Sequence, residues 1–178
     1  MKLMIKQRVL TWADTYDIYD EWGNERYFVK AESFKIGHNI HVYDRHNNEI
    51  ALIEERFFSI TPTYRIEVNG EKVGCIEKKF KFLDIKPEYN VDFNGWRVKG
   101  DFPGWNYEVY QDENAIIKIK KELLHWGDTY VVDFNSAQDE LYGILLVISI
   151  DAANRLGKID VVDDILDLGF DILDIIDF

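Results

Sequence analysis

The chain has 178 residues, of which 47% are hydrophobic and 15% aromatic, and its formal net charge is −12. This composition excludes a disordered protein, and the length predicts one domain around a single core. The negative charge argues against a nucleic-acid-binding protein, because such proteins gain most of their affinity from Lys and Arg on phosphates.

The N-terminal residues and the cysteine content predict a cytoplasmic protein without a transmembrane segment. Charged residues interrupt the stretch MKLMIKQRVLTWADTYD at 1–17 before it reaches the length of a signal-peptide apolar region. Cys75 is the only cysteine, so an intramolecular disulfide is excluded.

An internal repeat organises most of the chain. Segment 5–20 reads IKQRVLTWADTYDIYD and segment 119–134 reads IKKELLHWGDTYVVDF, and seven of the sixteen aligned positions are identical. Weaker copies lie at 47–68 and 69–92. Each copy has a polar turn, a short alternating run, a second turn and then Tyr with β-branched residues. This arrangement predicts repeated strand–turn–strand units.

Alternating and aromatic-rich runs extend the strand prediction over the first two thirds of the chain. Residues 50–53, 73–76 and 116–119 alternate in the strand sense, and 25–42 and 96–110 fit further strands. The second turns of the units are predicted at 61–63, 86–88 and 127–129. Roughly ten to twelve short strands result, which favours an antiparallel barrel or sandwich over a βαβ sheet.

One segment departs from the strand pattern and predicts a buried helix. Ser136 is followed three positions later by Asp139, as at a helix N-cap, and Leu141 to Ala153 is apolar almost throughout. A helix that is hydrophobic on every side is buried in protein or in lipid. Because this one is shorter than the ~20 residues that cross a bilayer, we expect the sheet to cover it and to leave Asp151 near an open end.

The last segment, 157–178, is a distinct acidic extension with seven Asp and one Lys. Its Asp residues recur at helical spacing opposite apolar residues, which predicts an amphipathic helix. That helix either folds back onto its own domain or docks a protein partner. Its candidate docking face consists of Ile165, Leu166, Leu168, Ile172, Leu173 and Ile176.

Four segments together resemble the LURP-one-related family. They are NNEIALIEERFFSITPTYRIEV at 47–68, NGEKVGCIEKKFKF at 69–82, WNYEVYQDENAIIKIKK at 105–121 and DELYGILLVISIDAANR at 139–155. The resemblance covers about residues 1–155 and implies a tubby-like antiparallel β-barrel of about twelve strands around a central hydrophobic C-terminal helix. The chain then divides into a barrel domain at 1–156, with the helix at about 137–154, and the extension at 157–178.

The resemblance also implies a lipid-related role, because tubby domains bind phosphoinositide headgroups through basic residues. Two repeats carry lysines that could form a patch for an anionic phospholipid headgroup: Lys78, Lys79, Lys81, Lys118, Lys120 and Lys121. The alternative is a solvated strand face that lysines protect from aggregation.

The histidines do not predict a metal site. His38 and His41 would point to opposite faces of a strand, and neither they nor His46 have a cysteine or carboxylate cluster to complete a ligand set. His125, beside Trp126, is interpreted as structural.

Other reactive residues also have structural interpretations. Asp14 and Asp128 share a W-x-D-T-Y motif and are interpreted as turn residues rather than an acid–base pair. Cys75 is interpreted as a buried, inert thiol. The spacing of Gly95, Gly100 and Gly104 indicates turns and excludes a phosphate loop.

The leading hypothesis is therefore a non-enzymatic binding or scaffold domain at a lipid or membrane surface, with no cofactor. The alternative is a protein-interaction module that acts through residues 159–178.

Overall fold

The computed structural model describes residues 1–8, 15–32, 39–56, 59, 61–81, 84–101, 105–124 and 127–167. These residues form twelve β-strands, a short 3-10 helix and one α-helix. In chain order they are β1 (Lys2–Gln7), β2 (Thr15–Asp20), β3 (Glu25–Ala31), β4 (Asn39–Asp44), β5 (Glu49–Glu55), β6 (Thr63–Val68), β7 (Glu71–Lys81), β8 (Asp84–Val91), β9 (Trp96–Asp101), β10 (Asn106–Gln111), β11 (Asn114–Leu124), β12 (Gly127–Phe134), the 3-10 helix (Ala137–Asp139) and α1 (Glu140–Asp167).

The strands form one antiparallel sheet that curls into a nearly closed barrel. Its order is β8-β7-β6-β5-β4-β3-β2-β1-β12-β11-β10-β9, so almost every strand pairs with its neighbour in sequence. The one pair of non-consecutive strands in this order is β1 and β12, whose register places Leu3 opposite Val132. The two edge strands, β8 and β9, are consecutive in the chain and are joined by a short turn.

Alternate residues of each strand point into the barrel, as the pleat requires. In β1, Leu3 and Ile5 are fully buried while Lys2 and Lys6 are exposed. The same alternation in the other strands lines the interior with Ile, Val and Tyr side chains.

The apolar helix α1 fills this interior. Ile144, Leu145, Leu146, Val147 and Ile148 are consecutive, so they point to every side of the helix, and each is 0% exposed. At Gly143 an added Cβ would lie 2.5 Å from Phe134 Cε1, so glycine allows the helix to approach the wall of the barrel closely. The predicted fold class, a barrel of about twelve strands around a hydrophobic C-terminal helix, is confirmed.

The boundaries differ from the predicted ones at the end of the helix. The helix does not end at about residue 154 but continues to Asp167. Its 28 residues span about 42 Å, whereas strands of six to eight residues span only about 20–27 Å. The helix is therefore longer than most of the strands that surround it, and it includes the first part of the acidic extension. None of the helices in the described ranges is long and apolar enough to cross a membrane.

Two predicted turns are strands in the structure. Residues 86–88 lie within β8 and residues 127–129 within β12. Pro87 indicated a turn, but β8 is an edge strand, where proline is tolerated because one side of the strand has no ladder partner.

Candidate binding surfaces

The barrel has two different ends. The first, here called the turn end, carries the short connections at 21–24, 45–48, 69–70, 92–95 and 112–113 and the entry to α1. The opposite end, here called the loop end, carries the other strand connections, of which residues 9–14, 33–38, 57–58, 60, 82–83, 102–104 and 125–126 lie outside the described residues.

At the turn end, β3 holds the start of α1. Nη2 of Arg26 donates hydrogen bonds to both carboxylate oxygens of Glu140, at 3.1 and 3.2 Å. Glu140 is buried, and Tyr27 is also hydrogen bonded to it. Burial of the phenol, and then the negative charge of Glu140, raise the pKa of Tyr27 to about 12.

Towards the loop end, polar side chains hold α1 again. Asp151 is 2% exposed and accepts hydrogen bonds from the hydroxyls of Tyr16 and Tyr130. Oδ1 of Asn154 accepts a hydrogen bond from the hydroxyl of Tyr89 at 2.6 Å. Nζ of Lys78 also donates a hydrogen bond to Oδ1 of Asn154, at 3.2 Å. The sequence predicts Asp151 near an open end of the barrel; in the structure its carboxylate is buried and hydrogen bonded to two tyrosine hydroxyls.

These contacts belong to a belt of five buried tyrosines, here called the tyrosine belt. Its members are Tyr16, Tyr64, Tyr89, Tyr107 and Tyr130, from β2, β6, β8, β10 and β12. Each begins the same short motif, Tyr-x-Ile or Tyr-x-Val, and Ile40 takes the equivalent place in β4. Burial raises the pKa of Tyr89 and of Tyr107. Three members of the belt, Tyr16, Tyr89 and Tyr130, donate hydrogen bonds to the helix and thereby help to set its position along the barrel.

Two neighbouring turns at the turn end have the same construction, and we call them the paired turns (20–24 and 44–48). In the first, Oδ1 of Asp20 accepts the amide hydrogens of Trp22 and Asn24, at 3.0 and 2.8 Å. In the second, Oδ1 of Asp44 accepts the equivalent amides of His46 and Asn48, at 2.8 and 2.9 Å. Hydrogen bonds from the Asn side chains lower the pKa of both Asp carboxyls. Sequence analysis missed this pair, although the spacing Asp-x-x-Gly/Asn-Asn occurs in both segments.

The side chains that the paired turns present are exposed. Trp22 is 76% exposed and Met1 is 42% exposed. Leu3 and Asp20 are paired across β1 and β2; Met1 precedes Leu3 by two residues and Trp22 follows Asp20 by two, so both lie beyond the same end of this strand pair. A cleft of about 370 Å³ lies between β3 and the second paired turn, lined by Arg26, Tyr27, Asp44, Arg45 and His46. In this cleft Nε of Arg45 donates to Nε2 of His46 at 3.1 Å.

The predicted lysine patch is divided by the structure. Lys78 points into the barrel and is only 7% exposed, so it is not available to a headgroup, and burial lowers its pKa. Lys79 is exposed on β7, and the side chain of Lys81 lies outside the described residues. The strands β7 and β11 are not neighbours, because β8, β9 and β10 lie between them.

On β11 the lysines have different partners. Lys118 is exposed but lies 3.3 Å from Oε1 of Glu108. Lys120 is exposed. Nζ of Lys121 lies 5.0 Å from the ring of Trp105 and 5.2 Å from that of Tyr130. Among the members of the predicted set whose side chains are described, Lys79, Lys118 and Lys120 are exposed.

The two histidines in the described ranges lie on different elements. His41 lies on β4 between Glu32, at 3.4 Å, and Glu49, at 3.1 Å, while His46 lies in the second paired turn. His38 and His125 lie outside the described residues. In the part of the chain that the structure describes, no group of three or more His, Cys, Asp or Glu is placed to hold a metal ion.

The other residues considered from the sequence take varied positions. Asp128 lies within β12 rather than in a turn, and Asp14 lies outside the described residues. Cys75 is only partly buried, and burial raises the pKa of its thiol. Gly95 lies in a turn as predicted, but Gly100 lies within β9, and Gly104 is not described.

The candidate docking face of the extension is not defined by the structure. Ile165 and Leu166 lie in the last turns of α1, and their side chains are not described. Leu168, Ile172, Leu173 and Ile176 lie outside the described residues.

A twelve-stranded antiparallel barrel filled by its own C-terminal helix defines the structural class of this protein. The chain belongs to the LURP-one-related family, whose model matches residues 1–151. It is 26% identical over 151 residues to "Uncharacterized protein YxjI" of Bacillus subtilis (strain 168), a match that covers 85% of this chain and 92% of that protein.

A solved structure has the same fold. The X-ray structure of the Arabidopsis thaliana protein AT5G01750 matches with a TM-score of 0.58 at 14% identity, over 85% of this chain and 91% of that chain. At this identity the likeness supports the fold alone.

Proposed function

We propose that this protein is a non-enzymatic binding or scaffold module that associates with a membrane surface through the turn end of its barrel. The observation that carries the proposal is the exposure of Trp22, 76% of which is accessible on a turn fixed by hydrogen bonds to Asp20. The same position in the second paired turn is His46, so the turn itself does not need an apolar residue there.

The chemistry of Trp22 and its surroundings supports a membrane surface as the target. Tryptophan combines a large apolar ring with an N–H donor, and it is enriched where membranes meet water. Met1 adds a second exposed apolar side chain, and Arg45 adds a cation that can contact lipid phosphates. Insertion of Trp22 is compatible with an acidic chain, because it does not depend on net positive charge.

Vesicle flotation of the purified chain tests this proposal. We expect co-flotation with phosphatidylcholine vesicles that changes little with salt, and we expect Trp22→Ala to weaken partitioning about tenfold because the buried ring is lost. The matched control replaces Lys79, Lys118 and Lys120 by alanine, the exposed members of the sequence-predicted patch.

The two variants distinguish two surfaces. Loss of binding in the lysine variant alone, with strong salt dependence, would assign the membrane contact to the lysines instead. Absence of co-flotation under all conditions would overturn the membrane proposal.

A second candidate is a protein-interaction module that acts through the C-terminal extension. The observation that favours it is the length of α1, which at about 42 Å exceeds the barrel strands. Ile165→Asn combined with Leu166→Asn should then remove a co-purifying partner that Trp22→Ala retains. Retention of every partner by the Asn variant would argue against this candidate.

A further inference from the structure

We propose that the cleft between β3 and the second paired turn is a binding site for a phosphate group. The cleft has a volume of about 370 Å³ and is lined by Arg26, Tyr27, Asp44, Arg45 and His46. That volume lies at the small end of the range for ligand sites. The proposal concerns a soluble or lipid-borne phosphate and does not depend on membrane insertion by Trp22.

The two guanidinium groups carry the argument. Arg45 uses its Nε on His46, and its two terminal nitrogens donate to no residue in the described ranges. Arg26 is paired with Glu140 through Nη2 and is also hydrogen bonded to Tyr27, which leaves some of the five N–H donors of a guanidinium unused. The planar fork of Arg45 is therefore the main group that matches the oxygens of a phosphate, and Arg26 can add a donor beside it.

The carboxylate oxygens near the cleft already accept hydrogen bonds from the protein. Asp44 accepts hydrogen bonds from His46, Asn48 and the Asn48 side-chain amide, at 2.8, 2.9 and 3.0 Å, so its oxygens face the turn. Both oxygens of Glu140 accept from Arg26. The donors that remain are the terminal nitrogens of Arg45, whose guanidinium forms no ion pair within the described ranges, and the other N–H groups of Arg26.

Comparison of the paired turns shows that this charge is specific to one of them. The position of Arg45 is occupied by Glu21 in the first turn, and that of His46 by Trp22. Since both turns have the same hydrogen-bonded frame, the basic residues of the second turn are not required by its geometry. They give the cleft its chemical selectivity for an anion.

Nuclear magnetic resonance titration of the full chain with inorganic phosphate and with glycerol 3-phosphate, at constant ionic strength in KCl, tests the site. We expect saturable shifts of the Arg45 Nε–H and of the amides of residues 44–48. Arg45→Gln should weaken binding about tenfold or more, because charged hydrogen bonds are lost. The matched control is Arg97→Gln, since Arg97 is exposed at the same end and is paired with Glu113 at 3.0 Å.

A parallel experiment distinguishes free phosphate from a lipid headgroup. Here the gain in binding when phosphatidic acid is added to phosphatidylcholine vesicles should be lost in Arg45→Gln and kept in Arg97→Gln. A response to the vesicles without a response to soluble phosphate assigns the site to lipid. The absence of both responses, or their equal loss in Arg97→Gln, overturns the proposal. Trp22→Ala should keep soluble phosphate binding, so failure of the membrane proposal would be seen separately.

Discussion

Lys78 shows how far the role of a residue depends on strand register. Its neighbour Lys79 is exposed, but Lys78 points inwards, where Nζ donates to the carbonyl oxygen of Ala153 at 3.1 Å and to Asn154. Burial opposes its charge, as the lowered pKa indicates. The hydrogen bonds to the end of the buried helix segment offset that cost.

We therefore expect Lys78→Ala to lower the free energy of unfolding by about 2–4 kcal/mol, because buried acceptors lose their donor. Lys118→Ala is the control, since its ion pair with Glu108 is on the surface, and its effect should stay within about 0.5 kcal/mol. Urea unfolding of both variants checks this prediction. Equal effects would show that the contacts of Lys78 contribute no more than a surface ion pair.

The sequence pattern does not show which of these lysine side chains point into the barrel. Whether a side chain in a strand points inwards depends on parity, and one irregularity in register reverses it. The structure has such a shift between Lys79 and Lys81. The paired turns and the tyrosine belt left clear signals in the sequence, but only the strand order shows that they gather at the two ends.

At the scale of elements, the edge strand β9 contains a position that only glycine fits. Gly100 has φ +146, and an added Cβ would lie 2.5 Å from both the carbonyl oxygen of Asn106 and the Cα of Tyr107. These contacts are with the backbone of the adjacent β10, so no side chain can move aside to relieve them.

Gly100→Ala should therefore destabilise the protein by about 3 kcal/mol or more. The control is Gly70→Ala, at φ +80 in the β6–β7 turn, where an added Cβ meets nothing within 4 Å. There we expect only the conformational cost of about 1–2 kcal/mol. Thermal and urea unfolding compare the two, and a Gly100→Ala effect no larger than that of Gly70→Ala would contradict the steric argument.

The sequence predicted elements better than their boundaries. Period-two patterns identified the strands because an inner face packed on a helix imposes alternation. The start of the helix was visible as Ser136, whose side chain caps the 3-10 turn by accepting from the amide of Gln138. The end of the helix was not visible in the sequence, because the apolar run stops near Ala153 whereas the helix continues to Asp167.

At the scale of the whole molecule, the strongest repeat corresponds to the closure of the barrel. Segment 5–20 covers the end of β1 and all of β2, segment 119–134 covers the end of β11 and all of β12, and β1 pairs with β12. Similar hairpins from opposite ends of the chain thus meet side by side. Family membership accords with this fold, but a fold pattern does not specify a ligand.

The buried helix follows all twelve strands in the sequence, and this order has a consequence for synthesis. The twelve strands leave the ribosome before the helix that fills them, and β1 cannot find β12 until more than a hundred residues later. Until residues near Ala153 emerge, the inner faces of all these hairpins lack their packing partner. Isolated hairpins are only marginally stable, and exposed apolar strands aggregate. The core of the barrel therefore cannot form until the helix has followed the strands out of the ribosome.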